Sequence, residues 1–355
     1  MAESYMEMFE EVYYPPAFQK MALHTVGEFD RRQEGITGDV RSCLCRYMEG
    51  IIKLQEEKSA VPVAEVALSF LYTSLGDKDA GFRIDSYGEG GRVYGDEVLT
   101  GYMPAPWLAG YLDIMTDELK AAIAKEGLGR YIYPAGLERL KLRAVRSLLY
   151  YFSGRFRYII ADALDLRMLA RVRKEKTFVI GMGEYRDWQK LIYAILPEVD
   201  VFNCDENTAL DFRRFAAVHY KDKAFKGLAM ENCRFTDCVF EGSEVEECRM
   251  NDCVFDGCRF DNITVRDTLM KGALFIRCDF RGSTFEKVSF LPEDGAGMEE
   301  YYEPAEFYRC GFAGGRIEGC PGFEALLKEC DVEGLEILCR GAEAPGETAD
   351  EDAVR

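Results

Sequence analysis

An α+β chain in two folded parts is expected: a mainly helical N-terminal domain with a small β-hairpin over residues 1–220, then a square coil of short strands over residues 221–340. Three observations lead there. The 355 residues are about twice a typical single domain. Apolar residues before residue 220 recur mostly at helical spacing. From Phe225 to Phe290, every fifth residue is large and apolar. The remainder, residues 341–355, has the composition of a disordered acidic tail.

Composition narrows the class. Hydrophobic residues make up 48% and charged residues 30%, an ordinary soluble, globular balance. No stretch reaches the ~20 apolar residues that span a bilayer. The acidic start, Met-Ala-Glu-Ser-Tyr-Met-Glu-Met, has no basic leader region, so a cytoplasmic location is expected. Most of the thirteen cysteines fall in one phase of the repeat and read as reduced, buried small hydrophobes. The net charge of −19 is uneven. Residues 1–220 carry −5 (28 Lys and Arg against 33 Asp and Glu), residues 221–290 carry −2 (11 against 13), and residues 291–355 carry −12 (5 against 17). Direct nucleic-acid binding by the acidic end is disfavoured, because phosphates are repelled.

In the first domain, Val40, Leu44, Tyr47, Ile51 and Leu54 predict a helix over residues 39–57, with Thr37 or Asp39 as its N-cap. Residues 63–75 read as a short apolar helix. Residues 81–103 read as a hairpin around Gly-Glu-Gly-Gly. Helices are expected over 104–125 and 134–174, the second with a break at Ser153-Gly154. A short strand over 176–181 and a helix over 184–196 follow, and residues 197–224 are expected to cap the coil.

The coil rests on the period of five. Fourteen consecutive apolar hits against a 48% background occur by chance with a probability on the order of 10⁻⁵. A second row, two residues earlier, is small or apolar: Cys233, Cys238, Ser243, Cys248, Cys253, Cys258, Ile263, Thr268, Ala273 and Cys278 among others. Neither a helix nor a flat strand has this period, but a chain that turns a corner every five residues does. Four corners close a 20-residue coil, so residues 20 apart should stack and resemble each other. Phe235, Phe255 and Phe275 do, as do Phe240, Phe260 and Phe280, and Met230, Met250 and Met270. The phase fails over 291–304, which reads as an ejected loop, and returns at Phe307, Phe312, Ile317 and at Leu327, Val332, Ile337.

Cys-Arg-Phe-Thr-Asp (233–237) and Cys-Arg-Phe-Asp-Asn (258–262) resemble the Ala-(Asp/Asn)-Leu-X-X unit of the pentapeptide-repeat proteins, with Cys in place of Ala. The resemblance covers about a third of the chain and implies a right-handed quadrilateral β-helix. It also implies one partner: some members protect DNA gyrase from inhibitors by resembling duplex DNA, and some use projecting loops to do so. Residues 1–220 resemble no family.

Two groups of candidate partner-binding residues stand out. Residues 138–176 carry 11 Lys and Arg against 4 Asp and Glu. Arg139, Arg143 and Arg146 are expected on one helical face, and Arg167, Arg171 and Lys174 on another. They form either a solvated face or an anion-binding surface. The loop offers Glu293, Asp294, Glu299 and Glu300 with Tyr301 and Tyr302, either a plain acidic loop or a partner-binding tongue. Gly181-Met182-Gly183 reads as a plain turn, since the third glycine of a phosphate-binding loop is missing. Cys43 and Cys45 have no partner pair at zinc spacing, and the Cys238–Cys258–Cys278 column reads as a packing requirement before a soft-metal site. His24 and His219 read as structural. No cofactor or metal is expected.

The expected function is a non-catalytic interaction or scaffold protein, with a protein partner, no membrane and self-association left open. A DNA-mimic modulator of gyrase is the first alternative. The second is an enzyme in residues 1–220, whose place would be the hairpin Phe82–Leu99 with Asp85, Tyr87, Tyr94, Asp96 and Glu97.

Overall fold

The computed structural model describes residues 2–57, 61–72, 80–204, 208–292 and 302–338. The chain divides into two compact units, one holding Met1–Pro197 and the other beginning at Glu198. Among the described residues, no helix is long and apolar enough to cross a membrane.

The first unit is built on one long helix, α1 (Ala2–Glu56). The helix expected over 39–57 is its last third. Thr37 caps nothing, because its hydroxyl donates to the Gln33 carbonyl one turn back. Pro15 and Pro16 lie inside the helix, which continues through them. Its buried side, including Phe9, Met21, Phe29, Leu44 and Ile51, packs on α3 (Pro106–Lys125) and α4 (Pro134–Ala163).

Between these helices lies a five-stranded sheet: β1 (Val63–Phe70), β2 (Gly81–Tyr87), β3 (Glu97–Pro104), β4 (Lys174–Glu184) and β5 (Gln189–Ile195). The order is β3-β2-β1-β4-β5, with β1 and β4 parallel and the other pairs antiparallel. The expected hairpin is β2–β3, with the four-residue helix α2 (Gly91–Tyr94) in its connection. Two expected helices are strands instead. The run expected as a helix over 63–75 holds β1, flanked by β2 and β4, and the one over 184–196 holds β5. A short apolar run fits either state, and pairing on the sheet decides it. The long helix over 134–174 is also shorter than expected. It runs unbroken past Ser153 and Gly154, ends at Ala163, and is followed by α5 (Leu166–Arg171) and then β4.

Gly181 and Gly183 are strand residues of β4, not a turn. A Cβ on Gly183 would lie 2.2 Å from the Trp188 carbonyl oxygen. The second strand of the hairpin therefore crosses where only glycine leaves room.

The second unit is the coil. Its three-residue strands bury the middle side chain and turn the flanking two outward. One six-stranded parallel sheet stacks β6 (Arg214–Ala216), β9 (Arg234–Thr236), β12 (Val254–Asp256), β15 (Leu274–Ile276), β17 (Glu306–Tyr308) and β19 (Leu327–Lys328). A second stacks β8 (Ala224–Lys226), β11 (Glu244–Glu246), β14 (Thr264–Arg266), β16 (Thr284–Glu286), β18 (Arg316–Glu318) and β20 (Glu336–Leu338). A third side holds β7 (His219–Lys221), β10 (Val239–Glu241) and β13 (Arg259–Asp261), extended by bridges at Asp279, Gly311 and Asp331. The fourth side is held by the bridges Ala229–Arg249, Arg249–Leu269 and Leu269–Ser289.

Coil strands begin at Arg214, before the period becomes legible. Residues 214–226 are thus coil, and the cover over its first turn comes from Val201, Phe202 and Leu210. Phe202 meets Tyr220 and Phe225 edge-on at 6.0 and 4.9 Å. Register is 20 residues throughout, Phe235 on Phe255 and Phe255 on Phe275. At the ejected loop, Phe307 instead follows Phe275, and the Ala305 N–H donates to Phe290 O at 2.9 Å. The coil therefore closes across the insertion. Val332, expected inward, is 46% exposed on the last described coil, where nothing stacks above it among the described residues.

Phe255 has 1% exposure between two stacked rings. Phe255→Asp is expected to lower stability by more than about 4 kcal/mol in denaturant unfolding. Arg266→Ala, which loses one exposed ion pair to Glu286, should cost about 0–1 kcal/mol. Equal unfolding midpoints would reverse the inward assignment. Gly183→Ala should cost about 1–3 kcal/mol because the Trp188 backbone must move; an unchanged melting curve would remove the close-approach argument.

Candidate functional site

The interior of the coil is full, so its chemistry is on the outside. Parallel rings stack at the coil spacing in two columns. Phe235–Phe255–Phe275–Phe307 lie 4.8, 4.8 and 4.5 Å apart, and Phe240–Phe260–Phe280–Phe312 lie 4.8, 4.7 and 4.9 Å apart. The columns meet edge-on, as for Phe255 and Phe260 at 67°.

The small inner row has a polar role as well. Cys258 Sγ donates to Phe235 O at 3.4 Å, Cys278 to Phe255 O at 3.3 Å and Cys310 to Phe275 O at 3.4 Å. Ser243 makes the same bond to Tyr220 O at 3.1 Å. Each is small enough for the corner and carries a donor for the carbonyl of the coil below. Burial pushes the Cys248, Cys253 and Cys278 thiols up, which favours the protonated, donating form. Among the described residues, no group of three or more His, Cys, Asp and Glu is arranged to hold a metal.

Outside, the sides differ. The β8–β20 side carries ladders of opposite charge: Lys226 with Glu246 at 2.8 Å and Arg266 with Glu286 at 3.1 Å. The β7–β13 side pairs His219 and Lys221 with Glu241, and Arg259 with Asp261. The β6–β19 side is different at its centre. There Val254, Leu274, Ile276 and Tyr308 are the outward neighbours of two stacked columns, and all are half-buried. Arg214 and Arg234 continue one column, and the ion pairs Arg277–Asp256 and Lys328–Glu306 border the patch.

The basic stretch of the first unit is largely turned inward on its own unit. Arg139 and Arg143 share a face of α4 as expected, and both hold Glu10 of α1, at 2.6 and 2.5 Å. Arg143 also lies 5.0 Å over the Tyr14 ring, whose phenol burial pushes up to about 12. Arg146 joins Glu184 at 3.2 Å and Asp187 at 3.9 Å. Glu184 also accepts from the Trp188 indole at 2.8 Å, and Trp188 stacks on Tyr150 at 4.2 Å. These contacts fix α4 to the β4–β5 turn. Arg155 is buried with Asp30 and Gln33.

Arg167, Arg171 and Lys174 do not share a helix face. Helix α5 ends at Arg171 because Val172 is extended, and Lys174 starts β4. Arg171 pairs with Glu56 at 3.6 Å, Arg167 is exposed, and the Lys174 ammonium donates to Leu169 O and Val172 O. Of the loop residues, Glu293, Asp294, Glu299, Glu300 and Tyr301 lie outside the described residues; Tyr302 is half-buried.

The hairpin carboxylates are engaged too. Asp85 is 0% exposed, and both of its oxygens accept from Arg83 Nε at 2.8 Å while Thr100 donates at 2.8 Å. Arg83 also reaches Glu97 at 3.2 Å. Tyr94 is 89% exposed on α2, away from this cluster's hydrogen bonds.

A stack of short parallel strands closed at every fifth residue defines a β-solenoid. Residues 228–292 match the family model of the pentapeptide repeat region, so the second unit is a pentapeptide-repeat β-helix; the match does not extend to the first unit. No curated protein matches the chain. Among solved structures, it is similar to the pentapeptide repeat protein Rfr23 from the cyanobacterium Cyanothece 51142, at 8% identity over 35% of this chain and 86% of that one, TM-score 0.26. It is also similar to full-length QnrB1, a plasmid-mediated fluoroquinolone resistance protein, at 14% identity over 35% and 93%, TM-score 0.10. HetL, a pentapeptide repeat protein involved in heterocyst differentiation regulation from Nostoc sp. strain PCC 7120, is similar at 6% identity over 34% and 88%, TM-score 0.08.

Asp85→Ala should cost about 2 kcal/mol, since it leaves the Arg83 guanidinium and the Thr100 hydroxyl without their acceptor. Glu10→Ala, which frees two arginines that are already exposed, should cost about 0–1 kcal/mol. Chemical denaturation checks the order; a larger loss for Glu10→Ala would move the bracing role to α1 and α4.

Proposed function

We propose that this chain is an interaction protein, whose repeat solenoid presents a rigid docking face on the β6–β19 side. One observation carries the reading: Val254, Leu274, Ile276 and Tyr308 point outward together, where the other two sheet sides carry paired charges. Backbone pairing in every coil holds these side chains at strand spacing, so a partner meets a surface ordered before binding. Arg214 and Arg234 extend one column. The complementary partner is a protein segment with apolar side chains flanked by carboxylates.

The gyrase reading needs a surface dominated by negative charge, as a duplex has. The ladders Lys226–Glu246, Arg266–Glu286 and Arg259–Asp261 alternate in sign instead. The charge pattern thus favours a general protein partner over a DNA-like one. An enzyme reading of the hairpin is weakened by the engagement of Asp85 and Glu97 with Arg83.

The test is affinity capture from cells, quantified for wild type and for Leu274→Glu with Ile276→Glu. The expected result is a specific partner lost from the double variant and kept by Thr264→Glu on the β8–β20 side, with all three chains melting alike. Equal capture by all three overturns the reading. A gyrase supercoiling assay with a fluoroquinolone separates the alternative. Protection at sub-micromolar protein, lost on deletion of residues 291–304, would replace the general partner with gyrase.

A further inference from the structure

Cys238, Cys258, Cys278, Cys310 and Cys330 climb one inner edge of the solenoid, each donating its thiol to a carbonyl of the coil below. The first four are buried. Cys330 is half-buried and belongs to the last described coil. It stacks in register on Cys310. The Cys310 N–H donates to Cys330 Sγ at 3.4 Å, the Asp331 N–H donates to Cys310 O at 2.8 Å, and Tyr308 pairs with Lys328 two residues earlier.

Adjacent strands lie about 4.8 Å apart. That spacing is within the roughly 4.4–6.8 Å Cα separation that a disulfide bridges, but the sulfurs must close to about 2 Å. A coil held from both sides resists that movement. Cys258 and Cys278 sit in such coils, with strands hydrogen-bonded above and below. The coil of Cys330 is paired on one side only among the described strands, through β19 to β17 and β20 to β18.

We propose that Cys310 and Cys330 are a modification site, joined as a disulfide by a hydroperoxide. The Cys330 sulfur, as its thiolate, attacks one peroxide oxygen of hydrogen peroxide. The O–O bond breaks, water leaves after protonation, and Cys330 becomes a sulfenic acid. The Cys310 sulfur then attacks the Cys330 sulfur, the S–O bond breaks, and a second water carries off the oxygen. Two electrons pass from the two thiols to the peroxide. Cys310 lies on the coil side of Cys330, so attack and departure are on opposite sides of the sulfur. The product ties the last coil to the one below it.

The experiment treats the full chain with hydrogen peroxide, alkylates the remaining thiols, and maps them by peptide mass spectrometry. The expected product is a Cys310–Cys330 linked peptide, with Cys258 and Cys278 alkylated only after denaturation. Limited proteolysis between residues 321 and 338 should slow several-fold on oxidation. Cys330→Ser should abolish the linked peptide and the protection. This variant keeps the fold, since Ser243 already fills the equivalent position with the same hydrogen bond. Cys339→Ser should change neither. Oxidation confined to Cys45 or Cys204, a Cys330 that stops at a sulfenic or sulfinic acid, or a link from Cys330 to another cysteine overturns the proposal.

Discussion

The second unit depends on one backbone constraint: every fifth residue must turn a corner with positive φ. Asp222, Gly227, Asn232, Asp237 and Gly242 all do so, with φ between 50° and 64°. The left-handed region costs most residues about 1–2 kcal/mol, and Gly, Asn and Asp tolerate it best. Many of the corners hold those three types. At each, the N–H crosses to the next coil, as Asp222 N–H does to Glu241 O and Asn232 N–H to Asn251 O, both at 2.9 Å. Corner residues also pack on one another: a Cβ on Gly242 would sit 2.5–2.7 Å from nothing but the Asp222 carboxylate beneath it, at 2.6 Å.

Given those corners, the interior follows. The middle residue of each strand has only one direction to point, and rings 20 residues apart must stack. The row two residues earlier lies against the corner, where a large side chain cannot fit. Cysteine and serine fit and add a hydrogen bond to the coil below. The same geometry makes the outside regular, so an outward substitution is felt at one spot. Outward charges meet across coils, and the ladders pair them.

The first unit spends its basic residues differently. A sequence excess of positive charge over 138–176 suggests an anion-binding surface. In the fold, Glu10 of α1, Glu184 of β4, Asp187 of the β4–β5 turn and Asp30 of α1 answer Arg139, Arg143, Arg146 and Arg155. Those acids are far away in sequence, so counting charge in a window overstated what faces outward. The apolar patch of the β6–β19 side was missed for the opposite reason. Val254, Leu274, Ile276 and Tyr308 look like ordinary flanking residues until the 20-residue stacking sets two of them above the other two.

By itself, the sequence determined the solenoid. A period of five leaves one inward position, and the return of residue type after 20 fixes which strands pair. The loop at 291–304 announced itself as a break in that phase, and strand pairing closed the coil around it. Long helices were legible where their spacing persisted, as in α3 and the last third of α1. Tertiary structure alone decided β1 and β5, since short apolar runs carry no period of their own and take their state from the strands beside them. It also decided why Gly183 is glycine, because the Trp188 backbone that crosses it is brought there only by the folding of the sheet.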